Sequence, residues 1–172
     1  MTPVLQTERL VIRAHALPDF DAYCALWSDL DVVRFITGTP FSREASWSRF
    51  LRHAGHWQHL GFGFLAIEDR ETGQFVGEAG FHDMRRDLTP SLEGSLEAGW
   101  ALMPSAQGKG YGFEAMQALV GWADTTFPGR RMTAIIDPAN QPSIRIASRL
   151  GFTPFGETSY HGNAIVLFER RR

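Results

Sequence analysis

Between residues 107 and 112 the chain runs Gln107-Gly108-Lys109-Gly110-Tyr111-Gly112, with three glycines in alternation. Residues 96–103 before it have the apolar character of a strand, and Pro104-Ser105 supplies a turn. Residues 113–123 then carry a helical pattern. The glycines strip side chains from the chain where a new helix leaves its first N–H groups unpaired. Those groups, with the positive end of the helix dipole, make a seat for a phosphate or pyrophosphate. The G-x-G-x-G spacing lacks the third glycine of a dinucleotide fingerprint, and no Gly-Lys-Ser/Thr ending makes it a P-loop. No catalytic-loop motif of a kinase follows downstream. A tight strand-to-helix turn that needs glycine for geometry alone would carry the same residues.

Two carboxylates are candidates for moving a proton. Glu97 alternates with Leu96, Ala98 and Trp100, so it faces the opposite side of its strand from them. Glu78 sits in the middle of FVGEAGF, where a charge is costly unless it meets a substrate or a partner. Glu157 is a weaker third. Cys24 is the only cysteine, so an internal disulfide is excluded. It falls in the pattern Phe20, Tyr23, Cys24, Trp27, a buried helical face, and reads as a small core residue rather than a nucleophile. His53, His56 and His59 are three apart on a helix but drift around it, without nearby cysteines or paired carboxylates. They read as a polar face bordering the acceptor site. His82 and His161 are isolated, and no metal is expected.

A second block, Asn140-Gln141-Pro142-Ser143 running on to Leu150-Gly151-Phe152, completes a pattern. Gln107-x-x-Gly110-x-Gly112 resembles the acetyl-coenzyme A loop of the GNAT superfamily of N-acetyltransferases, and Asn140-x-x-Ser143 with Leu150-Gly151-Phe152 resembles its following helix and strand. The runs EAGWALMPSAQGKGYGFEAM and NQPSIRIASRLGF, with Thr7-Glu8-Arg9-Leu10 upstream, are most similar to the branch that acetylates the N-termini of ribosomal proteins. The resemblance implies an α/β fold: a seven-stranded, mostly antiparallel sheet with one parallel, splayed central pair and about four helices. It also implies acetyl-coenzyme A as co-substrate. The pantetheine arm would lie in the splay against Trp100, Ala101, Leu102 and Met103, and the pyrophosphate on Gln107 through Gly112. Asn140 and Ser143 would flank the coenzyme, and Lys109, Arg145 and Arg149 are candidates for its ribose phosphate, although solvated basic faces are common.

The acetyl thioester is already activated, so the requirement is a neutral amine near the carbonyl and an oxyanion donor. The resemblance places that donor among the N–H groups of Leu102 and Met103. Many members protonate the departing thiolate with a Tyr at the position held here by Ala147. In the ribosomal branch the Ser at position 143 has that role, and Tyr111 and Tyr160 are the other hydroxyls available. An α-amine with a pKa of about 7.7–8.0 is roughly a tenth neutral at pH 7, so it needs only weak base assistance. The reading is acetyl transfer to a protein or peptide N-terminal α-amine in a ternary complex. A small-molecule amine acceptor and a non-catalytic coenzyme A-binding module are the alternatives. The acceptor is expected against Trp47 and Trp57, residues 77–81 and Tyr160, on a surface with aromatic groups and few charges.

The elements that must hold these residues alternate between sheet and helix. Strand patterns occupy residues 10–14, 62–68, 74–81 and 131–137, and a closing hairpin residues 152–157 and 164–169. Helical patterns occupy 18–30 and a stretch opened by Ser42 as N-cap, with Trp47, Phe50, Leu51 and Ala54 on one face. A strand, a helix and another strand in succession from residue 96 to 137 form a crossover long enough for a parallel pair. The 172 residues, 44% hydrophobic and 21% charged, suit one globular domain over 1–172. A net charge of −2 argues against nucleic acid or an anionic membrane as partner, whether the chain is monomer or homodimer. No apolar run approaches the ~20 residues of a span, and the N-terminal stretch lacks a secretory pattern, so a cytoplasmic location is expected.

Overall fold

The structure, a computed structural model, describes residues 2–171. Eight strands form one mixed sheet: β1 (Leu5–Gln6), β2 (Leu10–Arg13), β3 (Phe64–Asp69), β4 (Phe75–His82), β5 (Leu96–Leu102), β6 (Met132–Ile136), β7 (Thr153–Tyr160) and β8 (Asn163–Arg170). Their spatial order is β1-β2-β3-β4-β5-β6-β8-β7. Every neighbouring pair is antiparallel except β5–β6, the product of the predicted crossover. Five helices accompany the sheet: α1 (Phe20–Ser28), α2 (Leu30–Val33), α3 (Arg43–Leu60), α4 (Tyr111–Thr126) and α5 (Gln141–Arg149).

The count exceeds the expected seven strands and about four helices for local reasons. β1 is two residues long, too short to show alternation, and exists because Leu5 and Gln6 pair with Ile12 and Val11. The helix expected over residues 18–30 is divided: a single 3-10 turn at Leu17–Asp19 precedes α1, and Asp29 then leaves helical geometry. The Asp29 carboxylate accepts from the N–H groups of Asp31 and Val32 and starts α2 anew. Ser42 caps α3 as its sequence position suggests, accepting from Ala45 N–H at 3.1 Å.

The buried stripe of α3 differs from the predicted apolar face. Ser46, Phe50 and His53 are buried, whereas Trp47 and Leu51 are 38% and 50% exposed and Ala54 is exposed. The helix rotates this way because it must present His53 to the charged Glu78 of β4. On the other side, the apolar face of α4 (Ala115, Met116, Leu119, Ala123) packs into the main core with Leu65, Ala79 and Phe81 of the sheet. Tyr23, Leu26 and Trp27 of α1 form a second cluster with Phe50. Cys24 itself is only half-buried, beside this cluster rather than within it. No helix among the described residues is long and apolar enough to cross a membrane.

Candidate active site

The parallel pairing of β5 with β6 is brief. It joins Leu96 to Met132 and Glu97 to Thr133 and goes no further. Beyond it the two strands separate, because β5 continues along β4 while β6 turns to follow β8. The gap between them opens a cleft of about 480 Å³, walled by Ala98, Gly99 and Trp100 on one strand and by Ala134 to Asp137 on the other. Backbone groups alternate along β5. Leu96 N–H bonds toward β6, to Arg131 O, and Met103 N–H bonds toward β4, to Val76 O at 2.9 Å. The N–H groups of Trp100 and Leu102 therefore point into the gap. This corrects the expectation for the oxyanion donor: Met103 is spent on the neighbouring strand, and the available donors are on Trp100 and Leu102.

The glycine loop lies at the end of β5. Gln107 donates its side-chain amide to Leu102 O at 3.0 Å, which ties the loop to the strand. Gly108 and Gly110 have φ of +74° and +82°, the left-handed region that favours glycine. The first intrahelical bond of α4 runs from Glu114 N–H to Gly110 O, so the N–H groups of Tyr111, Gly112 and Phe113 stand at the helix mouth. Sequence reasoning missed the brace beneath this loop. Arg9 donates to Lys109 O at 2.9 Å and pairs with Glu114 at 2.6 Å, across the chain from the first strands. Gly112 has a different reason from its neighbours. It is buried within α4, where a Cβ would meet Ile146 of α5 at 3.2 Å, so it permits helix packing and is not a loop glycine.

Asn140 caps α5, its Oδ1 accepting from Ser143 N–H at 3.3 Å. Both residues line the cleft. Because Asn140 performs the capping, the hydroxyl of half-buried Ser143 is not needed for it. Tyr160 also lines the cleft, but Tyr111 does not: its hydroxyl donates to Asp69 at 2.8 Å on the far side of the loop. Lys109, Arg145 and Arg149 are exposed, and Arg149, the last residue of α5, lies 3.6 Å from the ring centroid of Phe113 in the first turn of α4.

The two carboxylates occupy one face of the sheet, since Glu78 is paired opposite Ala101, and His82, four residues on, opposite Glu97. Only Glu97 lines the cleft. It receives Arg86 through both Nε and Nη2 at 2.8–3.0 Å, and His82 Nε2 lies 2.8 Å from Oε1. Burial pushes its pKa up, but His82 and Arg86 outweigh this and hold it at about 2. Burial pushes His82 below its ordinary 6.5, against the pull of Glu97. The carboxylate is thus ionised and the imidazole neutral near pH 7. His82 must then donate through Nε2–H, which leaves its lone pair on Nδ1.

Glu78 is withdrawn from the cleft and fully buried. Trp27 Nε1–H reaches its Oε1 at 3.1 Å, while His15 and His53 each lie 3.0 Å from Oε2. Arg49 stands 3.4 Å from Oε1. Burial pushes the Glu78 pKa up, yet His53, His15 and Arg49 together hold it well below the carboxylate range. This enclosure sets Glu78 apart from the cleft and gives its expected role as a base no support. His15, His53 and Glu78 put three ligand atoms within 4.8 Å, a set that could hold a metal. The guanidinium of Arg49 adds positive charge beside that carboxylate, 3.4 Å from Oε1.

The acceptor side also departs from expectation. Trp47 packs on Phe20 and Phe50, and Trp57 on Trp122 with its N–H bonded to Phe64 O, so neither lines the cleft. Trp27, Phe35, Phe41, Phe64 and Trp100 supply its aromatic surface with Tyr160, the one aromatic residue expected on the acceptor side that borders it. Its charge is considerable, because Arg34, Arg49, Arg52 and Arg86 all border it. Of the three helical histidines, none borders it. Arg86 lies in a stretch that reads only as a polar loop. Its signal is limited to its proximity in sequence to Glu97.

A sheet opened at its one parallel pair, beside a glycine-lined helix mouth, has the architecture of acetyl-coenzyme A-dependent acyltransferases. Comparisons with known proteins agree. A model described as an acetyltransferase (GNAT) domain matches residues 9–153. The chain is 30% identical over 153 residues to an uncharacterised N-acetyltransferase, p20, of Bacillus licheniformis, covering 88% of this chain and 83% of that one. A GNAT-family acetyltransferase structure from Bordetella pertussis superposes with a TM-score of 0.88 at 34% identity, covering 98% and 99% of the two chains. The structure of RimL, a ribosomal L7/L12 α-N-protein acetyltransferase in complex with coenzyme A, shares the fold at a TM-score of 0.80 and 19% identity, over 98% of each chain. The chain belongs to the GNAT family, and it is an acetyl-coenzyme A-dependent acetyltransferase acting on an amine.

Proposed function

We propose that this enzyme acetylates the α-amine of a peptide N-terminus by direct attack on the thioester, with both substrates bound together. The observation that carries this reading is the pairing of Glu97 with Arg86 and His82 at the mouth of the strand gap. A carboxylate held at about 2 is a feeble base. A neutral His82, pushed below 6.5, is a modest one. Such a site suits an amine that is already partly neutral at pH 7, as an α-amine is and a lysine is not. The likeness in fold to RimL supports the same acceptor class.

The coenzyme fits the open site. The N–H groups of Trp100 and Leu102 would meet the pantetheine arm and the acetyl oxygen, and those of Tyr111 to Phe113 the pyrophosphate. Acetyl-coenzyme A supplies the activated acyl group. On this proposal His82 Nδ1 receives the ammonium proton, directly or through water, Glu97 positions the ring, and Ser143 or Tyr160 returns a proton to the thiolate. Lys109 and Arg145 are the proposed contacts of the ribose phosphate, with the whole of residues 1–172 acting as one domain.

Initial rates of thiol release with peptides beginning in Ser or Ala, against spermidine and other small amines, test the reading. Turnover of the peptides with intersecting double-reciprocal lines, retained in Cys24→Ala, is expected. Turnover of a small amine and none of the peptides would dismiss the N-terminal reading. Parallel lines with a trapped acetyl-Cys24 would dismiss direct attack.

A further inference from the structure

We infer that the acceptor carries a carboxylate close to its reacting amine, and that Arg49 and Arg52 of α3 hold it. This rests on the reading above that the cleft receives the acceptor. The two arginines border the cleft; Arg49 lies over the Trp27 ring, 3.9 Å from its centroid, and Arg52 is exposed. Arg49 has little exposure (14% of its side chain), yet its Nε is buried without a hydrogen-bond partner. Its one ion contact is the long one, 3.4 Å, to Glu78 behind it. Arg52 has no hydrogen bond or ion pair among the described residues. Partial desolvation and the nearby positive charge of Arg49 lower its pKa. A buried N–H donor left unmet costs free energy that a ligand oxygen would recover.

The other charges of the cleft do not supply that oxygen. Glu97 is committed to Arg86 and His82, and Asp137 accepts from the N–H of Ala139 at 2.7 Å. Arg34 adds further positive charge at the rim, where it makes a 3.9 Å contact with exposed Asp31. The acetylated pantetheine arm is itself uncharged, so the coenzyme brings no anion to this end. A free ammonium compound would enter against the field of these arginines, whereas an amine with an anion attached brings its own counter-charge. The planar forks of two arginines one turn apart suit a carboxylate. Two sources present this chemistry: the acidic side chains of a peptide N-terminus and the α-carboxylate of a free amino acid.

The test compares kcat/KM for three acceptors: a Ser-Asp-Glu peptide amide, a Ser-Asn-Gln peptide amide, and free serine. It uses wild type, Arg52→Gln, Arg52→Glu and Arg49→Lys. Arg52 is exposed and has no hydrogen bond or ion pair among the described residues, so its variants are expected to fold, which circular dichroism verifies. For wild type the acidic peptide should exceed the neutral one by on the order of tenfold, mainly in KM. Arg52→Gln should bring the two near parity, Arg52→Glu should reverse the order, and Arg49→Lys should reduce the ratio partly by losing the fork. Equal rates for the two peptides in wild type, or a ratio indifferent to Arg52, would overturn the inference and leave N-terminal acetylation standing. Turnover of serine with neither peptide used, and dependent on Arg52, would support the inference and overturn the peptide reading.

Discussion

Replacing Glu97 by Gln removes one charge and leaves the shape of the cleft almost unchanged. Glu97 is 4% exposed. Although burial pushes its pKa up, His82 and Arg86 hold it at about 2, against an ordinary 4.5. That displacement corresponds to about 3 kcal/mol of folding free energy at neutral pH. Removing one partner of a buried ion pair costs ~3–5 kcal/mol in general, because the remaining charge is stranded, so the two routes agree. Since the folded-state pKa is depressed, the contribution is complete above the unfolded value near 4.5 and is lost as pH falls toward 2. Urea unfolding of wild type and Glu97→Gln at pH 7, and stepwise down to pH 3, measures it. The expected gap is ~3 kcal/mol at pH 7, shrinking to roughly half by pH 3. Glu78 and Asp19 titrate in both proteins, so the difference between them reports Glu97 together with the His82 ring it contacts. A gap under ~1 kcal/mol at pH 7, or one that does not change with acid, would refute a buried carboxylate clamped by Arg86 and His82.

Three further outcomes follow from the cleft and loop. Gly110→Asp forces a side chain onto a φ of +82° and a negative charge onto the helix mouth. Calorimetry should show acetyl-coenzyme A affinity reduced by about tenfold or more in a folded variant. His82→Asn should flatten a rising pH limb that lies below 6.5 and lower turnover by on the order of a hundredfold. An unchanged limb would assign it to another group. Ser143→Ala should lower kcat with unchanged donor affinity if its hydroxyl protonates the thiolate, and unchanged kcat would transfer that role to Tyr160.

The parts of this molecule that follow from short-range chemistry could be read before any coordinates. The glycine loop, the Ser42 cap and the crossover to β6 all depend on residues close together in the chain. What escaped depends on charges meeting across it. His53 is a polar residue on the buried stripe of α3 because Glu78 lies across from it, so the hydrophobic pattern pointed to Trp47 and Leu51 instead. Arg86 looked like a loop residue, yet its side chain fixes Glu97. The strand gap itself is a backbone event with no residue signature in β5 or β6. It arises where the parallel register ends after Glu97 and Thr133.

The pairing of charges also bears on how the amine loses its proton. Glu78 and Glu97 are both ionised throughout the physiological range, each clamped by its own cations. Neither is therefore a ready proton acceptor, and the neutral ring of His82 is the base that stands against Glu97 at the cleft. A base of that modest strength gives little help to an ammonium near pKa 10. The arginines supply the rest on the proposed mechanism: a positive field disfavours the ammonium form of the acceptor and lowers the pKa of its amine. The same field would expel a simple cationic amine before it could react. A carboxylate on the acceptor, held by Arg49 and Arg52, reconciles the two demands, because it restores binding while leaving the reacting nitrogen beside Arg86 and His82. Selectivity for an anionic acceptor and deprotonation of its amine would then be two consequences of one charge arrangement.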